Sequence, residues 1–340
     1  MVKPIRIGLL GCGVVGTGVV RVLQQNRERI EAVFGRPVEI EKIAVADLTR
    51  PRMSFVPVAK LCDDWKRVCT DDNIDVIIEV MGGQTAAKDA VSVALQHGKH
   101  VVTANKELLS TQGGALYELA RSRNVRLECE ASVLGGIPAL HTLETYFRVN
   151  QIRKLRGIVN GTSNYILTKM HADGTEFAEA LAEAQELGYA EPDATMDIEG
   201  LDASFKLQIL AKYVSKTVTI AEFKAQPSGI SQVTQQDIQQ ALAQGKRIKH
   251  VVSAEFAADG CITSMHVGPQ LLSSDDVLYH VNGVQNALEL SGDIVGDILL
   301  SGPGAGALPT ASAIVEDLAK VYPTHLRCLG NSSVMSVGSR

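Results

Sequence analysis

Apolar positions in the first third of the chain fall into short runs separated by helix-length segments. Ile5–Leu10 is apolar at most positions and is long enough for one buried strand. A helical pattern follows through Val19, Val20, Val22 and Leu23. Further strand-length runs occupy Glu39–Ala46, Asp75–Val80, His100–Thr103 and Val125–Glu130. A helix is expected over Ala86–Gln96, stopped by Gly98. Strands alternating with helices predict an α/β fold whose first part is a doubly wound parallel sheet.

The alternation changes after Glu130. Leu140, Leu143 and Phe147 share a helical spacing, Ile152–Val159 reads as a strand, and a polar turn at 160–164 precedes a helix over Tyr165–Met170. Helices are expected over Phe177–Leu187 and Asp202–Tyr213. A strand pair, His250–Phe256 and Cys261–Val267, surrounds Ala258-Asp259-Gly260, and Asp293–Leu300 is one more strand candidate. This second part reads as an α+β unit with an open sheet. The expected division is a dinucleotide-binding domain over 1–134 and a substrate and dimerisation domain over 135–306. A helix over about 307–322 returns to the first domain. The glycine- and serine-rich tail over 325–340 is expected to be mobile.

Composition narrows the partners. The net charge is −5 and no long basic run occurs, so neither nucleic acid nor an anionic membrane is the expected partner. No run of 18 uninterrupted apolar residues is present, so no membrane span is expected. Six cysteines, at 12, 62, 69, 129, 261 and 328, show no CxxC spacing. Scattered thiols fit a reducing cytoplasm and argue against a zinc site or redox motif.

The chemistry begins at Gly11-Cys12-Gly13-Val14-Val15-Gly16, which joins the first strand to its helix. Gly11 permits the tight turn, Gly13 lets a pyrophosphate approach the backbone, and Gly16 lets helix and strand pack closely. This Rossmann-type arrangement predicts NAD or NADP. Asp47 closes the second strand, where an acidic residue bonds the adenosine ribose and favours NAD. Arg50 and Arg52 follow and suit a 2′-phosphate, so the preference stays open. Thr103 and Lys106 stand at the carboxyl end of a later strand, beside the expected nicotinamide. A second glycine loop, 301–307, brings Gly306 toward the same place.

One further stretch is dense in charge. Glu191, Asp193, Asp197, Glu199 and Asp202 place five carboxylates within twelve residues, with no basic residue until Lys206. Such crowding needs a cation. On a helix Asp202 and Lys206 share a face and can pair, and a lysine held so can be tuned for proton transfer.

Taken together, these motifs resemble homoserine dehydrogenases. The resemblance rests on the first glycine loop, Thr-Ala-Asn-Lys-Glu-Leu-Leu-Ser at 103–110, Glu-Ala-Ser-Val-Leu-Gly-Gly-Ile-Pro at 130–138 and Asn-Gly-Thr-Ser-Asn-Tyr-Ile-Leu at 160–167. The acidic stretch and Gly-Pro-Gly-Ala-Gly-Ala-Leu-Pro-Thr-Ala-Ser-Ala complete the set in order. It implies reversible NAD(P)H-linked reduction of L-aspartate 4-semialdehyde to L-homoserine, in threonine and methionine biosynthesis. Lys206 and Lys106 would be the catalytic lysines, with Lys206 the proton donor and Asp202 beside it. Glu191 and Asp197 would hold the substrate. A sodium-like monovalent cation would be bound by Glu130 and the carbonyls of Val133, Gly135 and Ile137. Two lysines near one oxygen are expected to depress each other's pKa.

Two departures stand out. Leu134 replaces a glycine usual in the cation loop. The chain ends too early for the C-terminal ACT domain of many bacterial members, so no threonine feedback through such a domain is expected. A homodimer through the second domain's sheet is expected. The alternatives are another oxidoreductase of similar build acting on a small amino-acid-like aldehyde or ketone, and a non-enzymatic NAD(P) sensor. The acidic stretch favours an amino-acid substrate, and the presence of both lysines favours an enzyme.

Overall fold

The computed structural model of the chain describes residues 2–215 and 226–323. The tail expected from 325 lies outside the described residues.

The amino-terminal half builds a six-stranded parallel sheet in the order β3-β2-β1-β4-β5-β6. Its strands are β1 (Ile5–Leu10), β2 (Val38–Ala44), β3 (Leu61–Cys62), β4 (Val76–Glu79), β5 (His100–Thr103) and β6 (Leu127–Glu128). β1 and β4 are apolar on both faces because helices cover both sides; Ile7, Leu9, Val76, Ile77 and Ile78 are fully buried. The helices are α1 (Val14–Gln25), α2 (Arg27–Phe34), α3 (Trp65–Cys69), α4 (Thr85–Gln96) and α5 (Lys106–Ser122). Strand order reverses between β1 and β4, which opens a crevice at their carboxyl ends.

The second part holds a five-stranded antiparallel sheet in the order β11-β10-β7-β8-β9. Its strands are β7 (Ile152–Ile158), β8 (Lys246–Phe256), β9 (Ile262–Ser273), β10 (Gln285–Gly292) and β11 (Gly296–Pro303). Helices α6 (Ala139–Thr145), α7 (Gly161–Asp173), α8 (Phe177–Glu186), α9 (Thr195–Ile198), α10 (Leu201–Val214) and α11 (Gln235–Ala243) accompany it. The chain then leaves β11 and enters α12 (Ala307–Val321), which packs along α1. The approach is close: a Cβ on Gly18 of α1 would stand 2.4 Å from the Ala307 carbonyl oxygen.

The strand expected over Asp293–Leu300 is corrected. Residues 293–295 form the turn of a hairpin, with β10 before it and β11 after it. Ile294 and Val295 imitate a strand in sequence, yet Ile294 is 71% exposed. Turn geometry decides instead: the Asp293 carboxylate accepts the Gln151 N–H, and Gly296 adopts φ 75°. β10 escaped notice because Asn286 and Ala287 dilute its apolar signal, although both are buried.

Candidate active site

The glycine loop forms the floor of the parallel-sheet crevice. Gly11 has φ 96°, and a Cβ there would meet the Val80 carbonyl oxygen at 2.6 Å. A Cβ on Gly16 would lie 2.2 Å from the Gly11 carbonyl oxygen, so only glycine lets α1 sit this close to β1. Gly13 has nothing within 4 Å of its missing Cβ, leaving open space at the amino end of α1. Val14 opens that helix with its side chain exposed, and Val15 is half-buried. An anion finds free N–H groups and a favourable helix dipole there. Gly306 stands at the amino end of α12 with φ 120°.

Asp47 follows β2 and is exposed. Its Oδ1 accepts from the Thr49 N–H at 2.8 Å and the Thr49 hydroxyl at 2.6 Å, which holds its carboxyl below the usual range. Arg52 donates to the Cys12 carbonyl at 2.6 Å and the Asp47 carbonyl at 2.9 Å, and so bridges β2's end to the glycine loop.

At the carboxyl end of β5 the Thr103 hydroxyl donates to the Glu79 carboxylate at 2.6 Å. The Met81 N–H donates to the other Glu79 oxygen at 2.8 Å. Glu79 is fully buried and burial pushes its carboxyl up, against the pull of these donors. Sequence reasoning missed Glu79. Its signal was a carboxylate inside an otherwise apolar strand. Asn105 donates to the Gly83 carbonyl at 2.7 Å and caps α5 by accepting the Leu108 N–H at 3.0 Å. That cap fixes Lys106 as the first residue of the helix.

From there Lys106 Nζ reaches Asp202 Oδ1 at 3.1 Å. Lys206, one turn along α10 from Asp202, reaches Asp202 Oδ2 at 2.7 Å and donates to the Val159 carbonyl at 2.7 Å. One carboxylate therefore stands between two ammonium groups from different halves of the chain. Asp202 and Lys206 are 4% and 9% exposed, whereas the Lys106 side chain is 40% exposed. Burial alone would raise the Asp202 carboxyl, but the charges of Lys206 and Lys106 overcome it and hold it well below the usual range.

The expected mutual depression of the two lysines is corrected at Lys106. The Asp202 charge raises its pKa, outweighing desolvation. The shared anion decides the sign, not the lysine–lysine repulsion.

Asn160 completes the network. Its Oδ1 caps α7 by accepting the Ser163 N–H at 2.8 Å. Its Nδ2 donates to Asp197 Oδ1 at 2.7 Å and Asp202 Oδ2 at 2.8 Å. The Ser163 hydroxyl donates to the Asp197 carbonyl at 2.8 Å. Burial and the neighbouring Asp202 charge raise the Asp197 carboxyl. The acidic stretch is thus split. Asp197 and Asp202 join the lysines, while Glu191 is exposed and its backbone carbonyl accepts from the Gln185 amide at 3.3 Å.

Glu130 sits apart from these lysines. Its two carboxylate oxygens accept the Leu140 N–H at 2.9 Å and the His141 N–H at 2.6 Å, capping α6, and Lys320 Nζ lies 3.8 Å away. The Ile137 carbonyl accepts the Ala139 N–H at 2.8 Å. Leu134 and Gly135 hold φ 56° and 53°, so a buried leucine occupies a backbone shape that glycine favours. Among the described residues no group of three or more His, Cys, Asp or Glu side chains is arranged to hold a metal ion. A carboxylate already met by two N–H groups and a lysine does not fit a resident cation.

Comparison with known proteins identifies the family. Residues 11–130 match the family described as "Homoserine dehydrogenase, NAD binding domain", and residues 138–319 match "Homoserine dehydrogenase". The homoserine dehydrogenase of Pseudomonas aeruginosa is 42% identical over 319 residues, covering 94% of this chain and 72% of the relative. That of Bacillus subtilis is 42% identical over 334 residues, covering 98% and 76%. A crystal structure of a homoserine dehydrogenase from Thiobacillus denitrificans superposes with a TM-score of 0.90 at 41% identity, covering 94% of this chain and 73% of that one. A hyperthermophilic archaeal homoserine dehydrogenase in complex with NADPH matches with a TM-score of 0.75 at 25% identity, covering 94% and 97%. With both halves matched in order and the fold shared over nearly the whole chain, this protein belongs to the homoserine dehydrogenase family, NAD(P)-dependent oxidoreductases.

Proposed function

We propose that this chain interconverts L-aspartate 4-semialdehyde and L-homoserine, and that Lys206 is the group that moves the proton. The observation that carries this reading is the buried Asp202 carboxylate clamped between Lys206 and Lys106. The nicotinamide, when bound, supplies the hydride. As the aldehyde becomes an alcohol, its oxygen gains negative charge and needs one proton. Lys206, nearly buried and oriented by Asp202 and the Val159 carbonyl, stabilises that charge and donates the proton. In the reverse direction its neutral amine accepts the proton. Lys106, half-exposed at the start of α5, gives the pair a route to solvent and a second positive charge.

The substrate also carries an α-ammonium group. Asp197, whose Oδ1 accepts from the Asn160 amide, is the carboxylate we assign to receive it. Glu191 keeps its proposed substrate role only if it moves inward from its exposed position. Gly11, Gly13, Val14, Val15, Gly16, Thr103 and Gly306 would line the cofactor, with Asp47 and Arg52 at the adenosine end. A relative in complex with NADPH supports trying both cofactors.

The proposed division is a cofactor domain over 1–134 joined by α12, and a substrate domain over 135–306 that pairs two copies into a homodimer. Its antiparallel sheet exposes Leu271 and Leu299 on the two edge strands. No described helix is long and apolar enough to cross a membrane. The proposed location is the cytoplasm, where thiols scattered without CxxC spacing are at home.

The test is homoserine-dependent reduction of NAD and of NADP by the purified chain, with aldehydes lacking the α-ammonium group as controls in the other direction. Turnover with homoserine and rejection of the simple aldehydes supports the reading. Equal turnover of both aldehyde classes contradicts the assignment of Asp197.

A further inference from the structure

A dense cluster of charge away from the lysine clamp surrounds Lys320. Its Nζ lies 3.4 Å from Asp317 Oδ1, 3.4 Å from Glu144 Oε2, 3.7 Å from Glu128 Oε2 and 3.8 Å from Glu130 Oε2. The lysine side chain is 14% exposed, and those of Glu128, Glu130 and Asp317 are 7% or less. Three buried carboxylates and the more exposed Glu144 thus gather around one ammonium, and the buried ones would be strongly destabilising without it. Arg126 also pairs with Glu128, at 2.7 Å.

The cluster has a mechanical role as well. Asp317 accepts the Glu130 N–H at 2.7 Å, and Glu130 in turn caps α6. The chain from β6 through the left-handed turn at Leu134 and Gly135 into α6 is therefore anchored to α12 through Lys320 and Asp317. A cavity of about 510 Å³ opens beside it, lined among others by Glu130, His141, Glu316, Asp317 and Lys320. Solvent ions can approach from there.

We infer that the Lys320 ammonium is the cation of this loop: a tethered counter-ion that holds Glu130 and the 133–137 turn, so that the chain needs no sodium or potassium there. Truncating the lysine would uncover the carboxylates beside a cavity large enough for a free ion. The inference concerns the loop's counter-ion and holds whatever substrate the active site takes.

The experiment compares wild type, Lys320→Met and Lys320→Arg in NaCl, KCl and choline chloride at equal ionic strength, reading Tm as well as kcat/KM. The wild type and Lys320→Arg should behave alike in all three salts. Lys320→Met should lose at least about 5 °C of Tm in choline chloride and regain most of it in NaCl or KCl. A wild type that itself requires sodium or potassium over choline overturns the inference. So does a Lys320→Met variant unaffected, or equally destabilised, in every salt. Should Lys320→Met fail to fold, the wild type and Lys320→Arg series still decides: ion dependence in either contradicts a tethered counter-ion, and independence in both upholds it.

Discussion

The carboxylate of Asp202 gives one oxygen to Lys206 and the other to Lys106, with Asn160 as a third donor. Its folded pKa is depressed below the ordinary value of about 3.9. A depressed carboxyl stabilises the fold above that value, and the stability is lost as pH falls toward the folded pKa. Asp197, with its raised pKa, works in the opposite direction. Denaturant midpoints measured from neutral pH into acid should therefore fall more steeply in wild type than in Asp202→Asn below about pH 4. Equal slopes would mean that the lysine clamp contributes nothing to acid stability. Half of this clamp was legible in the chain, because Asp202 and Lys206 are one helical turn apart. The other half was not, since Lys106 is a hundred positions away and only topology brings it across. Glu79 was hidden for a different reason: its partners, Thr103 and Met81, declare themselves only once β4 and β5 are paired.

Among the elements, α7 joins local structure to chemistry. Its cap residue, Asn160, both starts the helix and holds the Asp197 and Asp202 carboxylates of the candidate site. Replacing it with alanine removes a cap worth about 1 kcal/mol and strips an amide donor from Asp197 and Asp202. Unfolding by urea should show a loss of about 1–3 kcal/mol for Asn160→Ala, together with a raised KM for homoserine. Asn160→Ser keeps a capping oxygen but cannot bridge the carboxylates, so it should recover stability without recovering KM. Recovery of both would contradict the bridging role of the Asn160 amide. α1 offers a second case. Gly16→Ala would drive a methyl into the Gly11 carbonyl, and dinucleotide binding measured by titration should weaken at least tenfold. Helix boundaries such as those of α4, α8 and α10 followed from spacing and stop signals. The β10–β11 hairpin did not, because a buried asparagine weakened one strand and two exposed apolar residues in the turn imitated another.

Over the whole molecule, the crevice of the parallel sheet and the helical face of the second part meet at the lysine clamp, and α12 ties the two together along α1. In the proposed site each part contributes a charged group, Lys106 from the first and the Asp202–Lys206 pair from the second. The proposed homodimer should elute with twice the 36.4 kDa mass of one chain when light scattering follows gel filtration; a monomer would leave the antiparallel sheet's edge leucines unexplained. The proposed chemistry depends on proton transfer by Lys206. It is tested most directly by homoserine oxidation with NAD and NADP in wild type and Lys206→Ala, with cofactor affinity measured alongside. In the variant kcat should fall by about 10²–10⁴-fold while cofactor affinity is unchanged. Wild-type-like kcat in Lys206→Ala would contradict it.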